Sequence, residues 1–360
     1  MTTMNAYHLL GGSGLRVSPL ALGTMTFAQD DWGSDEAAAR AILDRYLEAG
    51  GNFVDTADMY AQGRSEAMLG KFLADPALRD QVVLATKYSH GGGSRNPNRV
   101  GNGRKNMLAT LEDSLRRLGT DYIDLYWVHI WDTVTPVEEI MSTFDALVRS
   151  GKVRAVGLSN VPAWYAAKAQ MTARWRGWEP VAALQLEYSL ADREVEVEHT
   201  AAALDLSMGL VSYSPLAAGF LTGRYRRDGN HVDGEGRLNG ASQRYFREML
   251  GGFDDRHWRL LDVLGGIAEE VGRSMAQVAL NWAVRRRAVA SVIIGARDTA
   301  QLEQNLAAVE FELTAEQVAR LDEASAPVPN KLLMLQSPEV HQRFMSGGHT
   351  VTKEPAWYRG

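Results

Sequence analysis

The apolar residues of the chain occur in short runs, each followed by a longer segment in which apolar positions recur every three or four residues. The short runs predict buried parallel strands, and the longer segments predict the helices that connect them. Eight runs are predicted as strands: Leu20–Thr24, Phe53–Asp55, Val82–Lys87, Ile123–His129, Arg154–Ser159, Val181–Leu186, Leu210–Tyr213 and Ser291–Ile294. The pattern therefore indicates an α/β protein with a repeated strand–helix unit.

The segments between the runs carry helix signals. Helices are predicted over 34–48, 66–73, 257–271, 275–286 and 302–309, and a stripe of Leu108, Leu111, Leu115 and Leu118 predicts the core face of another. Ser34 is expected to open the first helix. Thr135 is expected to cap a later one, with Pro136 at its first position and Glu138 completing a capping box.

Eight strand–helix units in 360 residues favour a (β/α)₈ TIM barrel, in which the last strand pairs with the first. A Gly-Gly-Ser-Gly turn within residues 7–18 predicts a β-hairpin before the barrel. We expect one domain over 1–360, with the barrel core at 7–325, extra helices and a C-terminal loop or tail at 326–360. A doubly wound sheet is the alternative, but the Gly-x-Gly-x-x-Gly turn that it requires is missing.

Composition and charge limit the classes of binding partner that we expect for the protein. The net charge is −6, basic residues are interspersed with acidic ones, and there are no cysteines, so we expect no nucleic-acid or membrane partner, no disulfide and no thiolate metal site. The first residues lack a leader pattern and no run of 18 apolar residues occurs, so we expect a cytoplasmic protein that binds a small molecule. Among the histidines, only His129 ends a predicted strand, which argues against a metal site.

Four ionisable residues stand at or just after strand ends: Asp55, Tyr60, Lys87 and His129. A free tyrosine has a pKa of about 10, and a neighbouring ammonium would lower it by favouring the phenolate. Lys87 can do this for Tyr60, and Asp55 can keep Lys87 charged. A neutral His129 can donate a hydrogen bond to a substrate carbonyl.

Taken singly, these four residues have structural explanations. Asp55 could cap a helix, Lys87 could pair at the rim, His129 could be a core histidine and Tyr60 could be a packing residue. Their convergence at one barrel mouth favours proton transfer.

The order Asp55, Tyr60, Lys87, His129 resembles the tetrad of the aldo-keto reductase superfamily. The resemblance extends over residues 7–325. It includes Thr56-Ala57, Tyr60-Ala61-x-Gly63-x-Ser65-Glu66, Gly157-Leu158-Ser159-Asn160, Gln185 with Tyr188, Tyr213-Ser214-Pro215-Leu216, Gly219-x-Leu221-Thr222-Gly223 and Ile294-Gly295-Ala296-Arg297.

The resemblance implies NADPH-dependent, reversible reduction of an aldehyde or ketone. Tyr60 would be the general acid, with Lys87 and Asp55 tuning it and His129 orienting the carbonyl. The residues that it assigns to the cofactor are Thr24, Ser159, Asn160, Gln185, Tyr213, Ser214, Pro215, Leu216, Gly219, Leu221, Gly223, Arg224, Gly295, Arg297, Gln301 and Asn305.

Arg297, Gln301 and Asn305 resemble the family's clasp for the 2′-phosphate, which favours NADPH over NADH; the family usually has Glu where Gln304 stands. Trp32, Met59 and Trp131 are expected to line the substrate pocket, or else to pack between loops.

Three alternatives remain open. The family also contains the β subunits of voltage-gated potassium channels, so a redox-sensing regulatory subunit with little turnover is the main one. A lyase using Lys87 as a Schiff-base amine and a metal hydrolase are the others. Substrate and oligomeric state are left open.

Overall fold

A computed structural model describes residues 3–91, 94–228, 231–233, 238, 253–328, 331–335, 337 and 340–349. Its centre is a closed barrel of eight parallel strands, in which the last strand hydrogen-bonds to the first. The prediction of a (β/α)₈ barrel is therefore confirmed. Part of the expected C-terminal tail, residues 350–360, lies outside the described residues.

The strands are β1 (His8–Leu9), β2 (Arg16–Val17), β3 (Leu20–Gly23), β4 (Phe53–Asp55), β5 (Val83–Tyr88), β6 (Ile123–Val128), β7 (Val153–Ser159), β8 (Val181–Glu187), β9 (Gly209–Tyr213), β10 (Arg226–Asp228), β11 (His231–Asp233) and β12 (Val289–Ile294). The barrel order is β12-β3-β4-β5-β6-β7-β8-β9, so every predicted strand is present. β1 and β2 form the predicted hairpin. The antiparallel pair β10 and β11 was not predicted.

The α-helices are α1 (Glu36–Glu48), α2 (Arg64–Phe72), α3 (Pro76–Gln81), α4 (Arg104–Leu118), α5 (Val137–Arg149), α6 (Ala163–Arg176), α7 (His199–Leu206), α8 (Asp255–Val271), α9 (Met275–Val284), α10 (Thr299–Leu306), α11 (Ala315–Ala324) and α12 (Lys331–Leu335). Short 3₁₀ turns cover Tyr60–Gly63, Pro97–Arg99, Glu194–Glu196, Ala217–Thr222 and Ala307–Val309, and a π-helix covers His341–Met345. Across the described ranges, no helix is long and apolar enough to span a membrane.

Several details of the helix predictions are wrong. The first helix is capped by Asp35, which accepts from Ala38 N at 2.8 Å, whereas the Ser34 hydroxyl donates to the carbonyl of Arg297. Thr135 does not cap α5, because its hydroxyl donates to Asp132 Oδ2 at 2.6 Å. Pro136 stands at the cap position, before the first helical residue Val137, and the predicted capping box with Glu138 does not form. In both cases, a nearby acceptor takes the hydroxyl that a cap would use.

Leu108 is also misplaced by the stripe prediction. It is 40% exposed, while Met107 and Leu111 are fully buried. Leu108 lies at the edge of the buried face of α4, so it tolerates water. The helix α11 was missed, although Thr314 and Gln317 form a capping box that sequence inspection can find.

The barrel interior is filled by both small and large apolar side chains. Phe53, Leu125 and Trp127 pack there with several alanines, and Leu10 from the hairpin loop closes the lower end. Gly157 of β7 stands in register with Trp127 of β6. The indole therefore occupies the space that a side chain on β7 would need.

Gly157→Ala is expected to destabilise the fold by about 1–3 kcal/mol, because overpacking a filled core forces side chains off their preferred rotamers. A Cβ at position 157 would lie 2.2 Å from Trp127 Cε3 and 3.1 Å from the carbonyl oxygen of Ala183. Urea unfolding measures the effect. Gly14→Ala is the control, since its Cβ would meet nothing within 4 Å. Equal midpoints for the two variants would contradict the packing argument.

Candidate active site

The four predicted catalytic residues meet at the carboxyl end of the barrel. Asp55 is the last residue of β4, Lys87 lies in β5, His129 follows β6, and Tyr60 begins the 3₁₀ turn after β4. Parallel strands deliver their final residues to one face, so neighbouring strands bring these side chains together.

Lys87 is the centre of the group and is fully buried. Its ammonium donates to Asp55 Oδ2, to the carbonyl oxygen of Thr56 at 2.7 Å and to the Tyr60 hydroxyl oxygen at 3.3 Å. These three acceptors match the three N–H donors of a charged lysine. The phenol of Tyr60 therefore shares a cation with a buried carboxylate.

The charge state of Lys87 follows from this pairing. Burial acts to lower the pKa of Lys87, but the Asp55 carboxylate and the Tyr60 phenol outweigh it, so the pKa is raised above its ordinary value. The lysine stays an ammonium, which can stabilise a phenolate and is not a nucleophile.

Asp55 is held from a second side. Its Oδ1 accepts from Gln185 Nε2 at 2.9 Å, a bond between β4 and β8, which lie on opposite sides of the barrel. Gln185, predicted as a cofactor contact, thus also fixes the carboxylate that pairs with Lys87. This cross-barrel bond has no local sequence signal.

His129 is anchored through its backbone, and its buried imidazole stays neutral. The backbone N–H of His129 donates to the carbonyl oxygen of Tyr88, with N and O 2.9 Å apart, and to Ser89 Oγ at 3.2 Å. The imidazole stands edge-on to the Tyr60 ring, with centroids 6.1 Å apart. Burial, then the charges of Lys87 and His90, hold the pKa of His129 well below its usual value. A neutral imidazole can donate one hydrogen bond to a carbonyl oxygen.

His90 was missed by the sequence analysis. Its ring meets the His129 ring at 4.7 Å between centroids. A signal existed, because His90 follows β5 by two residues and so lies at the same mouth.

Asn160 links two other predicted cofactor residues, Ser159 and Tyr213, to each other. It has φ of 51°, and its Nδ2 donates to Ser159 Oγ at 3.0 Å and to the His129 carbonyl oxygen at 2.9 Å. Its Oδ1 accepts from the Tyr213 hydroxyl at 2.8 Å. The left-handed backbone at Asn160 turns the end of β7 over the mouth. Ser159, Asn160 and Tyr213 are therefore brought together beside the tetrad.

The loop after β9 has an unusual backbone. Its residues with positive φ are Ser214, Ala217, Ala218, Gly219 and Gly223. The backbone N–H groups of Ala217, Gly219, Leu221 and Gly223 donate to carbonyl oxygens within the loop, which holds it in this conformation. Leu221 is fully buried and Pro215 is buried, so their side chains belong to the loop's own core, and Arg224 is exposed with its Nε on Thr222 Oγ1.

The loop after β12 is organised by the first turns of α10. Gln301 Oε1 accepts from the Arg297 amide at 3.1 Å, and Asn305 Nδ2 donates to the Gly295 carbonyl at 3.1 Å. The Arg297 side chain is exposed, and no ion pair to it occurs within the part of the chain that the structure describes. An exposed guanidinium above an ordered loop fits a phosphate group.

Thr24 and the three predicted pocket residues differ in accessibility. Thr24 is fully buried, where its hydroxyl donates to the Asp55 carbonyl at 3.2 Å, so it supports the strand ends from below. Met59 is 39% exposed, and Trp32 and Trp131 are partly buried. Trp131 packs on Trp164 of α6, with centroids 5.5 Å apart.

Trp164 was also missed by the sequence analysis. Trp131, which lies two residues beyond His129, forms a three-ring cluster with Trp164 and Tyr165, with centroid distances of 5.1–5.6 Å. We call these three residues the aromatic cluster. Its position makes it a candidate wall for an aromatic ligand.

Comparison with known proteins identifies the family. The sequence model of the aldo/keto reductase family matches residues 19–326. The chain belongs to this family. Aldo/keto reductases are oxidoreductases acting on carbonyl or alcohol groups, and membership of this family implies a small-molecule substrate.

Several family members are similar over most of their length. The chain is 37% identical to the uncharacterized oxidoreductase YrpG of Bacillus subtilis, covering 88% of this chain and 95% of the relative. It is 33% identical to norsolorinic acid reductase of Aspergillus flavus, covering 89% and 82%. It is also 33% identical to aryl-alcohol dehydrogenase [NADP(+)] of Phanerodontia chrysosporium, covering 88% and 84%.

Proposed function

We propose that this aldo/keto reductase reduces an aromatic aldehyde or ketone to the alcohol with NADPH, reversibly, and that Tyr60 donates the proton. The observation that carries the proposal is the buried ammonium of Lys87, bonded at once to Asp55 and to the Tyr60 hydroxyl oxygen. Loss of the phenolic proton leaves a phenolate against this cation, which lowers the cost of proton donation.

Each of the four side chains of the tetrad has a separate role in the proposed reaction. Tyr60 donates its proton to the carbonyl oxygen as that oxygen gains negative charge. Lys87 stabilises the phenolate, and Asp55 keeps Lys87 charged and in place. Neutral His129 orients the carbonyl by a hydrogen bond. A nicotinamide held at the mouth would supply the hydride, which together with the proton from Tyr60 would convert the carbonyl to the alcohol.

The residues around the mouth fit a dinucleotide. Ser159, Asn160 and Gln185 would hold the carboxamide, and Tyr213 would stack on the ring. The positive-φ loop from Ser214 to Gly223, with Arg224 beside it, would take the pyrophosphate. The support for this assignment is the chemistry of the donors, together with the relative whose name includes NADP(+).

A 2′-phosphate site is proposed at Arg297. The exposed guanidinium and the ordered Gly295–Arg297 loop supply a cation and a backbone amide for a dianionic group. NADH lacks this phosphate, which is why we propose NADPH as the preferred cofactor.

The aromatic substrate class rests on the aromatic cluster and on the names of two relatives, an aryl-alcohol dehydrogenase and a reductase of norsolorinic acid. Stacked and edge-on rings gain about 0.5–1.5 kcal/mol beyond the area that they bury. A flat aromatic carbonyl would gain this against Trp131, whereas a sugar aldehyde would not.

The test is NADPH and NADH oxidation against a panel of aromatic, aliphatic and sugar aldehydes. We expect turnover with NADPH, fastest for the aromatic members. NADPH that binds but is not oxidised by any member would favour the regulatory alternative. Equal rates across the panel would remove the aromatic preference.

Arg297→Ala is expected to raise KM for NADPH by about 10–100-fold, since a charge-assisted contact to phosphate contributes about 1.5–3 kcal/mol. KM for NADH should change little. Arg287→Ala is the matched control, because Arg287 is also exposed but precedes β12, at the opposite end of the barrel. A similar rise for both cofactors would contradict a 2′-phosphate contact.

A further inference from the structure

A buried carboxyl group that the tetrad does not use lies between two of its members in sequence. Asp58 is only 5% exposed, and its backbone N–H donates to the carbonyl oxygen of Lys87 at 3.2 Å. The loop carrying Tyr60 is thereby attached to the strand carrying Lys87. Within the described residues, Asp58 Oδ1 is buried and has no hydrogen-bond partner. Such a group is costly to bury as an anion.

The neighbours of Asp58 already form a closed ion pair. Glu66 of α2 is fully buried, its Oε1 accepts from Thr86 Oγ1 at 2.6 Å, and its Oε2 accepts from Arg117 Nε of α4 at 2.6 Å. Arg117 is therefore committed to Glu66, and Asp58 gains only part of its attraction.

Four ionisable side chains, each from a different helix or strand, face Asp58. Glu66 comes from α2, Arg117 from α4, Lys87 from β5 and the phenol of Tyr126 from β6. Lys87 balances Asp55, and Arg117 balances Glu66. An ionised Asp58 would add a negative charge that no cation in this cluster balances.

The charge of Asp58 therefore changes in the neutral range. Burial, and next the Glu66 carboxylate, raise the pKa of Asp58 to about 7, while Arg117, the Met59 amide and Lys87 oppose the rise. At lower pH the cluster is balanced, and at higher pH it carries the extra charge.

We propose that Asp58 is a positioning residue that sets the acid strength of Tyr60 through Lys87. When Asp58 is neutral, the Lys87 ammonium stabilises the Tyr60 phenolate fully. When Asp58 is ionised, its negative charge behind Lys87 offsets part of that stabilisation, and Tyr60 becomes a weaker proton donor. The proposal rests on Tyr60 acting as the proton donor in carbonyl reduction.

The same group links pH to stability, which gives a readout independent of activity. An unfolded aspartate has a pKa of about 3.9. Between that value and about 7, the folded state holds a proton that the unfolded state has lost. This contribution is complete below the unfolded pKa and is lost as the pH rises through about 7.

Asp58→Asn tests the proposal, with Asp205→Asn as the control that removes one exposed carboxylate on α7. Thermal unfolding and kcat for aldehyde reduction are measured from pH 5 to 9 for both variants and the native chain. We expect the plot of unfolding temperature against pH to show an inflection near pH 7 for the native chain and for the control, and none for Asp58→Asn. Above neutral pH, Asp58→Asn should unfold at a higher temperature than the native chain. The alkaline limb of its kcat profile should move about half a pH unit lower, which is about threefold in the acid strength of Tyr60.

Glu66→Gln is a second test, in which the inflection should move and not vanish. It can be measured even if Asp58→Asn does not fold. Removing the Glu66 charge frees Arg117 for Asp58, so the inflection should move to lower pH. An inflection that stays in place in both variants overturns the role of Asp58. If the native chain turns over no carbonyl, the proposed function fails, while the stability profiles still decide whether Asp58 titrates. If the native chain turns over and the Asp58→Asn kcat profile superimposes on its own, only the role of Asp58 fails.

Discussion

Tyr60→Phe is expected to lower kcat for carbonyl reduction by about 10²–10⁴-fold, the range of one general acid. The substitution removes only the hydroxyl, whose oxygen lies 3.3 Å from Lys87 Nζ, and keeps the ring that packs edge-on to His129. Binding of NADPH should be nearly unchanged, because the residues proposed to hold the dinucleotide lie on other loops. Steady-state kinetics and a fluorescence titration with NADPH measure the two effects separately.

Tyr7→Phe is the control for this experiment. Tyr7 is exposed on the N-terminal side, where its hydroxyl donates to the carbonyl of Gly50 at 3.0 Å. The Tyr7→Phe variant should reduce aldehydes at the native rate. Full turnover by Tyr60→Phe would show that another group donates the proton, and the neighbouring imidazole of His129 would then be examined first.

Lys87→Met is expected to be the most damaging single change, since it removes both catalysis and stability. Methionine nearly fills the volume of the lysine stem, but Asp55 loses its cation and keeps Gln185 as its remaining side-chain partner. A buried carboxylate left without its partner costs about 3–5 kcal/mol. The loss of the ammonium also removes stabilisation of the Tyr60 phenolate. Urea unfolding and kcat measure the two losses.

The double variant Lys87→Met with Asp55→Asn separates these effects. Replacing the carboxylate removes the buried charge, so most of the stability should return while activity stays lost. Asp55→Asn alone should alter the pH profile more than the rate, because Asp55 acts through Lys87 and does not reach the substrate. If Asp55→Asn and Tyr60→Phe lower kcat equally, the division of roles between Asp55 and Tyr60 is wrong.

The strands of the barrel were predictable because their signal is local. A buried parallel strand is covered on both faces, so β5 and β8 begin with continuous apolar runs, at 83–85 and 181–184, whatever their neighbours are. Helix caps were less predictable. Ser34 and Thr135 have suitable side chains, but their hydroxyls bond to Arg297 and Asp132, and the first of these lies 263 positions along the chain.

Some residues of the candidate site were also predictable from local sequence signals, and others were not. Tyr60, Lys87 and His129 could be named from the sequence, because each stands at or just after a predicted strand and all parallel strands end on one face. The residues proposed to bind the cofactor stay predictions, although Ser159, Asn160 and Tyr213 are shown to form one hydrogen-bonded group.

Other features of the site have no counterpart in sequence spacing. The bond between Gln185 and Asp55 exists only because β8 faces β4 across the closed barrel. Trp164 reaches Trp131 only because α6 packs beside the mouth. Neither contact could be inferred from the position of one residue relative to the other.

By itself, the sequence determined the class of fold, the eight strands, and the residues that each strand delivers to the mouth, because apolar runs and strand ends are local features. Only the tertiary structure decided which charged groups balance each other. Glu66 takes Arg117 and Lys87 takes Asp55, so Asp58 is left buried with an unpartnered oxygen among the described residues. The physical reason is that a group's charge depends on its distance to every neighbour and on its exposure to water, and both are set by closure of the barrel.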